Sequence, residues 1–270
     1  MRKYKHIITS GCSFSQRGGG SWPYALSDQL KIPVTVAGCP SAGNTWISKS
    51  AIYWAQKMIN SGILPEELLV VVAWSGIDRK EIYVSDGTPN LDKETLLNYS
   101  EKVANPAHYI EESTGQYTLH YPGYLLGSLG CYFRNPAISN FKKELMGYYS
   151  NELLAMESFD NFLRLQWFCQ SKGITLINHT FASLMYYPDG SWAPAPEKKL
   201  VKDRYKEVAA LHEMIDWNTW IFSTDYGGMF DYAKEFKLSL MPDDAHLTQE
   251  SHTKYVTDHL IPQARAKGFL

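Results

Sequence analysis

A serine near the start of the chain and an aspartate and a histidine near its end have the side chains that nucleophilic catalysis requires. Ser13 lies in the tetrapeptide Gly-Cys-Ser-Phe, directly after a short apolar run at residues 6–9. A serine hydroxyl becomes a nucleophile when a base removes its proton and hydrogen-bond donors stabilise the developing oxyanion. Ligands bind at the carboxyl ends of the strands in open parallel sheets, and a turn after the first strand belongs at that edge. The position of Ser13 therefore suits a nucleophile.

The segment MPDDAHLTQ, residues 241–249, supplies the candidate base. Asp243 precedes His246 by three residues, so a turn can fold the carboxylate onto the imidazole and fix its tautomer. This arrangement raises the basicity of the ring nitrogen that faces the serine. Ser13 taken alone is better explained as a turn or cap residue. The presence of both Asp243 and His246 is what favours the catalytic interpretation.

Apolar runs without polar alternation predict the strands that position these side chains. Such runs are typical of strands buried on both faces of a parallel sheet, and they occur at residues 6–9, 33–37, 68–73 and 174–178. Helical patterns alternate with them, at residues 22–30, 44–60, 152–172 and 249–266, the last of which is interrupted near Pro262. Ser21 and Thr248 are the predicted N-caps of the first and last of these helices. The alternation predicts a three-layer α/β/α sandwich around a mostly parallel sheet of about five strands, with right-handed crossovers.

Two aromatic-rich segments do not fit this alternation. Residues 80–148 are rich in Tyr, Asn, Pro and Gly, and residues 181–200 contain the turn signal Tyr-Pro-Asp-Gly. We interpret both as insertions at strand ends that wall a pocket, so that residues 1–270 form a single domain.

The composition argues against several classes of partner. Charged residues make up 20% of the chain, the formal net charge is −2, and no cluster of Lys and Arg is present. Nucleic acids and anionic membranes call for such clusters, so neither is an expected partner. No apolar window approaches the roughly 20 residues of a membrane-spanning helix, and the apolar run near the start is too short for a signal peptide. The expected location is the cytoplasm, or an assembly built there.

The cysteines give no sign of a metal site. They are widely scattered and lack C-x-x-C spacing, so neither a zinc site nor a disulfide framework is expected; the four are Cys12, Cys39, Cys131 and Cys169. Serine chemistry of the kind considered for Ser13 needs no metal or organic cofactor, and none is predicted.

Four short blocks of the sequence resemble the conserved blocks of the SGNH (GDSL-type) hydrolase family, and they occur in the same order along the chain. Gly11-Cys12-Ser13-Phe14 stands in place of Gly-Asp-Ser-Leu, and residues 243–247 form an Asp-x-x-His block before the last helix. Between them, VAGCPSAGNTWI, residues 36–47, is similar to the glycine-bearing second block. VVVAWSGIDR, residues 70–79, is similar to the third block, which is usually Gly-x-Asn-Asp. The resemblance spans nearly the whole chain and implies an SGNH-hydrolase-like, flavodoxin-like fold.

The resemblance also implies roles for individual residues. Ser13 would be the nucleophile, His246 the general base and then acid, and Asp243 the residue that orients His246. Members of the family build the oxyanion hole from the serine N–H, a second-block glycine N–H and the third-block Asn side chain. Alignment by the upstream strand places the second donor at Ser41, whereas alignment by residue type places it at Gly43, and both remain open.

The third block departs from the family pattern, because Asp78 stands at the usual position of the asparagine. An ionised carboxylate would repel an oxyanion, and loss of one oxyanion donor costs about 10²–10³ in rate. Three interpretations remain open. Asp78 points elsewhere and Asn44 or another donor takes over, or Asp78 is held protonated, or the oxyanion hole is lost. Asn44 is also a predicted substrate contact, as is Arg79, which would meet a polar or anionic part of the substrate.

These expectations lead to a serine esterase that works through an acyl-enzyme. O-acetyl groups on carbohydrates are a frequent target in the family, and such an ester is the expected substrate. The alternative is a binding or structural module without turnover. The Gly-Cys-Ser-Phe block together with Gly-Ile-Asp-Arg resembles SGNH-like proteins of bacteriophages, which would make the chain virion-associated.

Overall fold

The computed structural model describes most of the chain outside the two predicted insertions. The described residues are 3–15, 20–39, 42–77, 79–84, 105–106, 124–128, 140, 144, 147–185, 200–242 and 246–270.

Parallel strands form the central sheet. The strands in chain order are β1 (His6–Gly11), β2 (Val34–Val36), β3 (Leu68–Trp74), β4 (Glu81–Val84), β5 (Asn105–Pro106), β6 (Tyr124–Ser128) and β7 (Thr175–Thr180). The order β2-β1-β3-β7 makes a parallel sheet, in which the predicted apolar runs are the strands. Among the described residues this sheet has four strands, where the sequence predicts about five. A small antiparallel sheet, ordered β4-β6-β5, lies within the predicted insertion at 80–148.

Both faces of the parallel sheet are covered. Successive residues of a strand point to opposite faces, and Ile7 and Ile8 of β1 are both fully buried. All seven residues of β3 are buried as well. This burial is the reason why the strands appear in the sequence as unbroken apolar runs. It confirms an α/β architecture built on a parallel sheet.

The helices pack in two groups. In chain order they are α1 (Trp22–Leu30), α2 (Asn44–Asn60), α3 (Asn151–Lys172), α4 (Val201–Arg204), α5 (Lys206–Glu213), α6 (Met229–Glu235), α7 (Gln249–Tyr255) and α8 (Ile261–Ala266). Helix α2 packs against β1, β3 and α3, and α3 packs against α5. Helix α1 packs against β2 and α7, and α7 packs against α6. A general α/β sandwich has this arrangement.

The last helix, predicted over residues 249–266 with an interruption near Pro262, is interrupted in the structure as well. A π-helical turn, Val256–Leu260, separates α7 from α8. Pro262 follows in the first turn of α8, and it has no N–H to donate to the carbonyl of residue 258. The hydrogen-bond ladder is interrupted there, and the preceding turn widens.

Part of the aromatic content of the chain lies in the core. Trp22, Trp54 and Trp74 are among the largest fully buried side chains. The indole N–H of Trp74 donates to Asn178 Oδ1 at 2.9 Å, which joins β3 to β7 by side chains as well as by the backbone. None of the described helices combines the length and the hydropathy that crossing a membrane requires.

The register of the sheet brings three strand ends together at its carboxyl edge. Gly11 pairs with Ala73, and Ala73 pairs with His179. Any side chain that follows β1, β3 or β7 is therefore close to the same edge. Ser13 follows β1, and Arg79 follows β3.

Buried histidines make the fold sensitive to acid. Burial, with smaller contributions from His259 and His252, lowers the pKa of His179 from the ordinary 6.5 to about 3. Burial also lowers the pKa of His212 to about 4, and it lowers the pKa values of His6 and His259. Below pH 6.5 the unfolded chain takes up protons that the folded chain does not. The stability that these neutral rings contribute is therefore complete above pH 6.5. It is lost as the pH falls towards the pKa values that the histidines have in the folded protein.

We expect the free energy of unfolding, measured with urea, to decrease between pH 7.5 and pH 5.0. The slope should approach about 1.4 kcal/mol per pH unit for each proton taken up on unfolding. A His179→Asn variant should show a shallower slope, whatever its stability at pH 7.5. A free energy of unfolding that stays constant or rises as the pH falls would contradict this expectation.

Candidate active site

Ser13 and His246 meet at the carboxyl edge of the sheet. Ser13 Oγ and His246 Nε2 lie 2.7 Å apart, although the two residues are 233 positions apart in the chain. A general base must lie within about 2.6–3.2 Å of the atom whose proton it removes. Both residues are half-buried, so each keeps part of its surface open to solvent.

A tight turn after β1 holds Ser13 in place. The N–H of Ser15 donates to the carbonyl of Cys12 at 2.8 Å and closes this turn. Cys12, Phe14 and Ser15 are buried, whereas Ser13 is half-buried. The turn therefore packs three of its side chains inward and leaves the Ser13 hydroxyl at the surface.

Two glycines make room for this turn. A Cβ at Gly11 would lie 2.0 Å from Ser15 Oγ and 3.1 Å from the carbonyl oxygen of Ala73. A Cβ at Gly38 would lie 3.1 Å from Ser15 Cβ. Real Cβ atoms do not approach other heavy atoms as closely as the first of these distances, so Ser15 can occupy its position only because residue 11 is glycine.

Helix α1 anchors the same turn from the other side. Trp22 Nε1 donates to Ser15 Oγ, and Ser21 Oγ donates to the carbonyl of Ser15, each at 3.0 Å. Ser21 is the N-cap residue of α1, as predicted, but its side chain makes no capping hydrogen bond. Pro23 stands at the second position of the helix and has no N–H for a cap to accept. The Ser21 hydroxyl supports the serine turn instead.

A short antiparallel ribbon fixes the backbone at His246 and directly after it. Met241 N donates to His246 O at 2.8 Å, and Thr248 N donates to Ser239 O at 3.2 Å. The next residue, Leu247, pairs with Leu240. Thr248 then caps α7 by accepting a hydrogen bond from the backbone N–H of Ser251, as the sequence predicts.

Aromatic rings support the imidazole. The ring of Phe14 stacks on that of His246, with centroids 4.4 Å apart, and it also contacts Phe181 at 4.9 Å. A stacked ring fixes the plane of the imidazole, and its face attracts a cation when the imidazole becomes protonated. No role for Phe14 is predicted from the sequence. Its position next to Ser13 in the Gly-Cys-Ser-Phe block is the signal that would have indicated one.

Arg79 belongs to the same cluster of rings. Its guanidinium carbon lies 5.3 Å from the ring centroid of Phe181, and the side chain is half-buried. Its backbone N–H donates to the carbonyl of Gly76 at 3.0 Å, which closes a turn after β3. Contacts of Phe181 and Phe14 thus connect Arg79 to His246.

Asn44 does not fit its predicted role as a substrate contact or oxyanion donor. Its side chain is buried, its Oδ1 accepts from Ser75 N at 2.9 Å, and its Nδ2 donates to Ser158 Oγ at 3.0 Å. Ser158 in turn donates to the carbonyl of Ile77 at 2.9 Å. Asn44 therefore holds the loop after β3 against α3. The physical reason is that this buried loop backbone needs hydrogen-bond partners.

The other predicted site residues are Gly43, Asp243, Ser41 and Asp78. Gly43 is buried and is the N-cap residue of α2. Asp243, Ser41 and Asp78 lie outside the described residues. In the part of the chain that is described, no three His, Cys, Asp or Glu side chains are grouped so that they could hold a metal ion.

Comparison of the chain with models of protein families and with curated protein sequences gives no match.

The hydrogen bond between Trp22 and Ser15 should contribute measurably to stability. In a double-mutant cycle of Trp22→Phe and Ser15→Ala, we expect a coupling energy of about 1 kcal/mol, measured by urea unfolding. The reason is that each single variant leaves one buried partner unsatisfied, whereas the double variant leaves neither.

A matched cycle provides the control. Trp22→Phe combined with Ser48→Ala removes a buried hydroxyl that bonds to Asn161 and not to Trp22. These two changes should be additive within about 0.5 kcal/mol. Equal coupling energies in the two cycles would show that the Trp22 bond to Ser15 does not anchor the turn.

Proposed function

We propose that this chain is a serine esterase of the SGNH type. The observation that carries the proposal is the 2.7 Å approach of Ser13 Oγ to His246 Nε2, in a turn whose other side chains are buried. The order of the four sequence blocks supports it further. Under this proposal the sheet has the family's arrangement of about five strands.

The reaction begins when Ser13 Oγ attacks the carbonyl carbon of an ester. His246 Nε2 takes the hydroxyl proton as the new carbon–oxygen bond forms. The tetrahedral intermediate then collapses, His246 gives the proton to the leaving alcohol oxygen, and an acyl-enzyme remains. Water attacks the acyl-enzyme with His246 again as the base, and the acid and free Ser13 are released. Asp243 holds the imidazole in the tautomer that accepts at Nε2.

The oxyanion of the intermediate needs backbone donors in this protein. The first is the N–H of Ser13. The second comes from the start of α2, at Gly43 or Ser41, where the helix dipole also favours negative charge. Two contacts support this placement, since Cys39 N donates to Gly11 O at 2.9 Å and Gly38 packs on Ser15. Gly38 and Cys39, which precede α2 in the chain, thus lie directly against the serine turn.

The substrate we propose is an O-acetyl ester on a carbohydrate. The proposal for this substrate rests on the family resemblance and on the aromatic-rich segments of the sequence. Arg79 would contact a polar or anionic group of the same molecule, because it lies in the ring cluster that ends at His246.

One sequence feature favours a second candidate function. Asp78 replaces the asparagine that donates to the oxyanion in related hydrolases, and Asn44 is already engaged with Ser75 and Ser158. If no other donor replaces it, the fold would serve as a binding or structural module, as in a bacteriophage particle. The two candidates differ in whether Ser13 is chemically activated.

A fluorophosphonate probe tests this directly, because it labels only a serine that has an active base. We expect stoichiometric labelling of the purified protein, together with hydrolysis of 4-nitrophenyl acetate. Ser13→Ala and His246→Ala should each abolish labelling and lower turnover by about 10³-fold or more.

Ser171→Ala is the matched control, since Ser171 is an exposed serine of α3 that bonds only to its own helix. It should label at the same rate as the unaltered protein. A folded protein that neither labels nor hydrolyses the ester would overturn the esterase proposal and favour the binding module.

A further inference from the structure

Met241 lies directly opposite His246 in the short ribbon that precedes α7. Leu240 pairs with Leu247 in an antiparallel bridge, so the next pair in the register is Met241 with His246. The hydrogen bond from Met241 N to His246 O, at 2.8 Å, has the geometry of this pairing. In an antiparallel pair, opposite residues project to the same side with Cβ atoms about 4.5–5.5 Å apart.

The side chain of Met241 is therefore a neighbour of the imidazole. His246 extends from this side of the ribbon to Ser13, and Met241 extends from the same side. Met241 is 39% exposed, although it is apolar and stands beside the candidate base. Leu240 points to the other side of the ribbon, because successive strand residues alternate.

The chemistry of ester cleavage decides which part of a substrate would meet Met241. The imidazole that takes the serine proton must hand it to the oxygen of the leaving alcohol. The alcohol part of the ester, and not the acyl part, has to lie against His246. An apolar side chain beside the imidazole is then in contact with carbon–hydrogen surface of the alcohol.

We propose that Met241 forms the alcohol subsite of this esterase and selects esters whose alcohol presents apolar surface next to the ester oxygen. The inference rests on the proposed function of Ser13 and His246. An alkyl chain and the carbon–hydrogen face of a sugar ring share this chemistry. The flexible, polarisable methionine side chain can adapt to either.

The test compares two substrate series on the same protein. The alcohol series is methyl, butyl and hexyl acetate, with methyl 6-O-acetylglucoside as the sugar member. The acyl series consists of three methyl esters: methyl acetate, methyl butyrate and methyl hexanoate. For Met241→Ala we expect kcat/KM for hexyl acetate to fall about tenfold, with less than a twofold change for methyl acetate and an unchanged preference along the acyl series. A similar fall for the glucoside would identify the sugar face as an occupant of the subsite, and no fall would restrict the subsite to alkyl alcohols.

Two variants serve as controls. Met241→Leu keeps an apolar side chain of similar volume and should retain the preference for hexyl acetate. Leu240→Ala alters the neighbouring residue on the other side of the ribbon and should leave the alcohol preference unchanged. Ratios between substrates do not depend on the folded fraction, so a destabilised variant still reports on the subsite.

The possible failures are distinguishable. Turnover and labelling at Ser13 with an unchanged alcohol preference in Met241→Ala would overturn only the subsite. A change along the acyl series in place of the alcohol series, or an equal effect of Leu240→Ala, would also overturn it. Absence of labelling and turnover in the unaltered protein would overturn the esterase function and the subsite with it.

Discussion

The candidate site depends on the close packing of Ser15 against the edge of the sheet. Ser15 fills the space that Gly11 and Gly38 leave open, and it receives hydrogen bonds from Trp22 and Ser21. Cys12, Phe14 and Ser15 are buried in this packing, whereas Ser13 is half-buried. The hydroxyl of Ser13 lies within hydrogen-bond distance of His246. Any change that displaces Ser15 therefore moves Ser13 as well.

A line of core contacts joins this turn to the element that holds the histidine. Trp22 bonds to Ser15 and meets the ring of His179 edge-on at 4.6 Å, and His179 Nδ1 lies 3.2 Å from the hydroxyl of Tyr255 in α7. Helix α7 begins just after His246. The serine turn and the histidine thus share one buried support, in which a neutral His179 is required because its ring is excluded from water.

Features that depend on residues close together in the sequence are predicted well. Features that depend on contacts between residues far apart in the sequence are not. Unbroken apolar runs identify the buried parallel strands, and Thr248 is recognisable as a cap because its partner lies within the same turn. Ser21 has the right residue type for a cap, but Pro23 removes a donor and the serine turn uses its hydroxyl instead. The sequence predicts that Asn44 contacts the substrate. In the structure its side-chain oxygen accepts from the loop after β3 and its side-chain nitrogen donates to Ser158. Met241 carries no sequence signal, since its position beside His246 follows from the register of a hairpin.

The pairing of Ser13 with a residue 233 positions away also has a consequence for the order of events during synthesis. The strands β1, β2 and β3 come early in the chain and can pair while the rest is still being made. At that stage Ser13 has been made, but His246, the residue whose imidazole would accept its proton, has not. Under the proposed function, the nascent chain would therefore carry an inert serine at the edge of a partly formed sheet until the ribosome has passed residue 246.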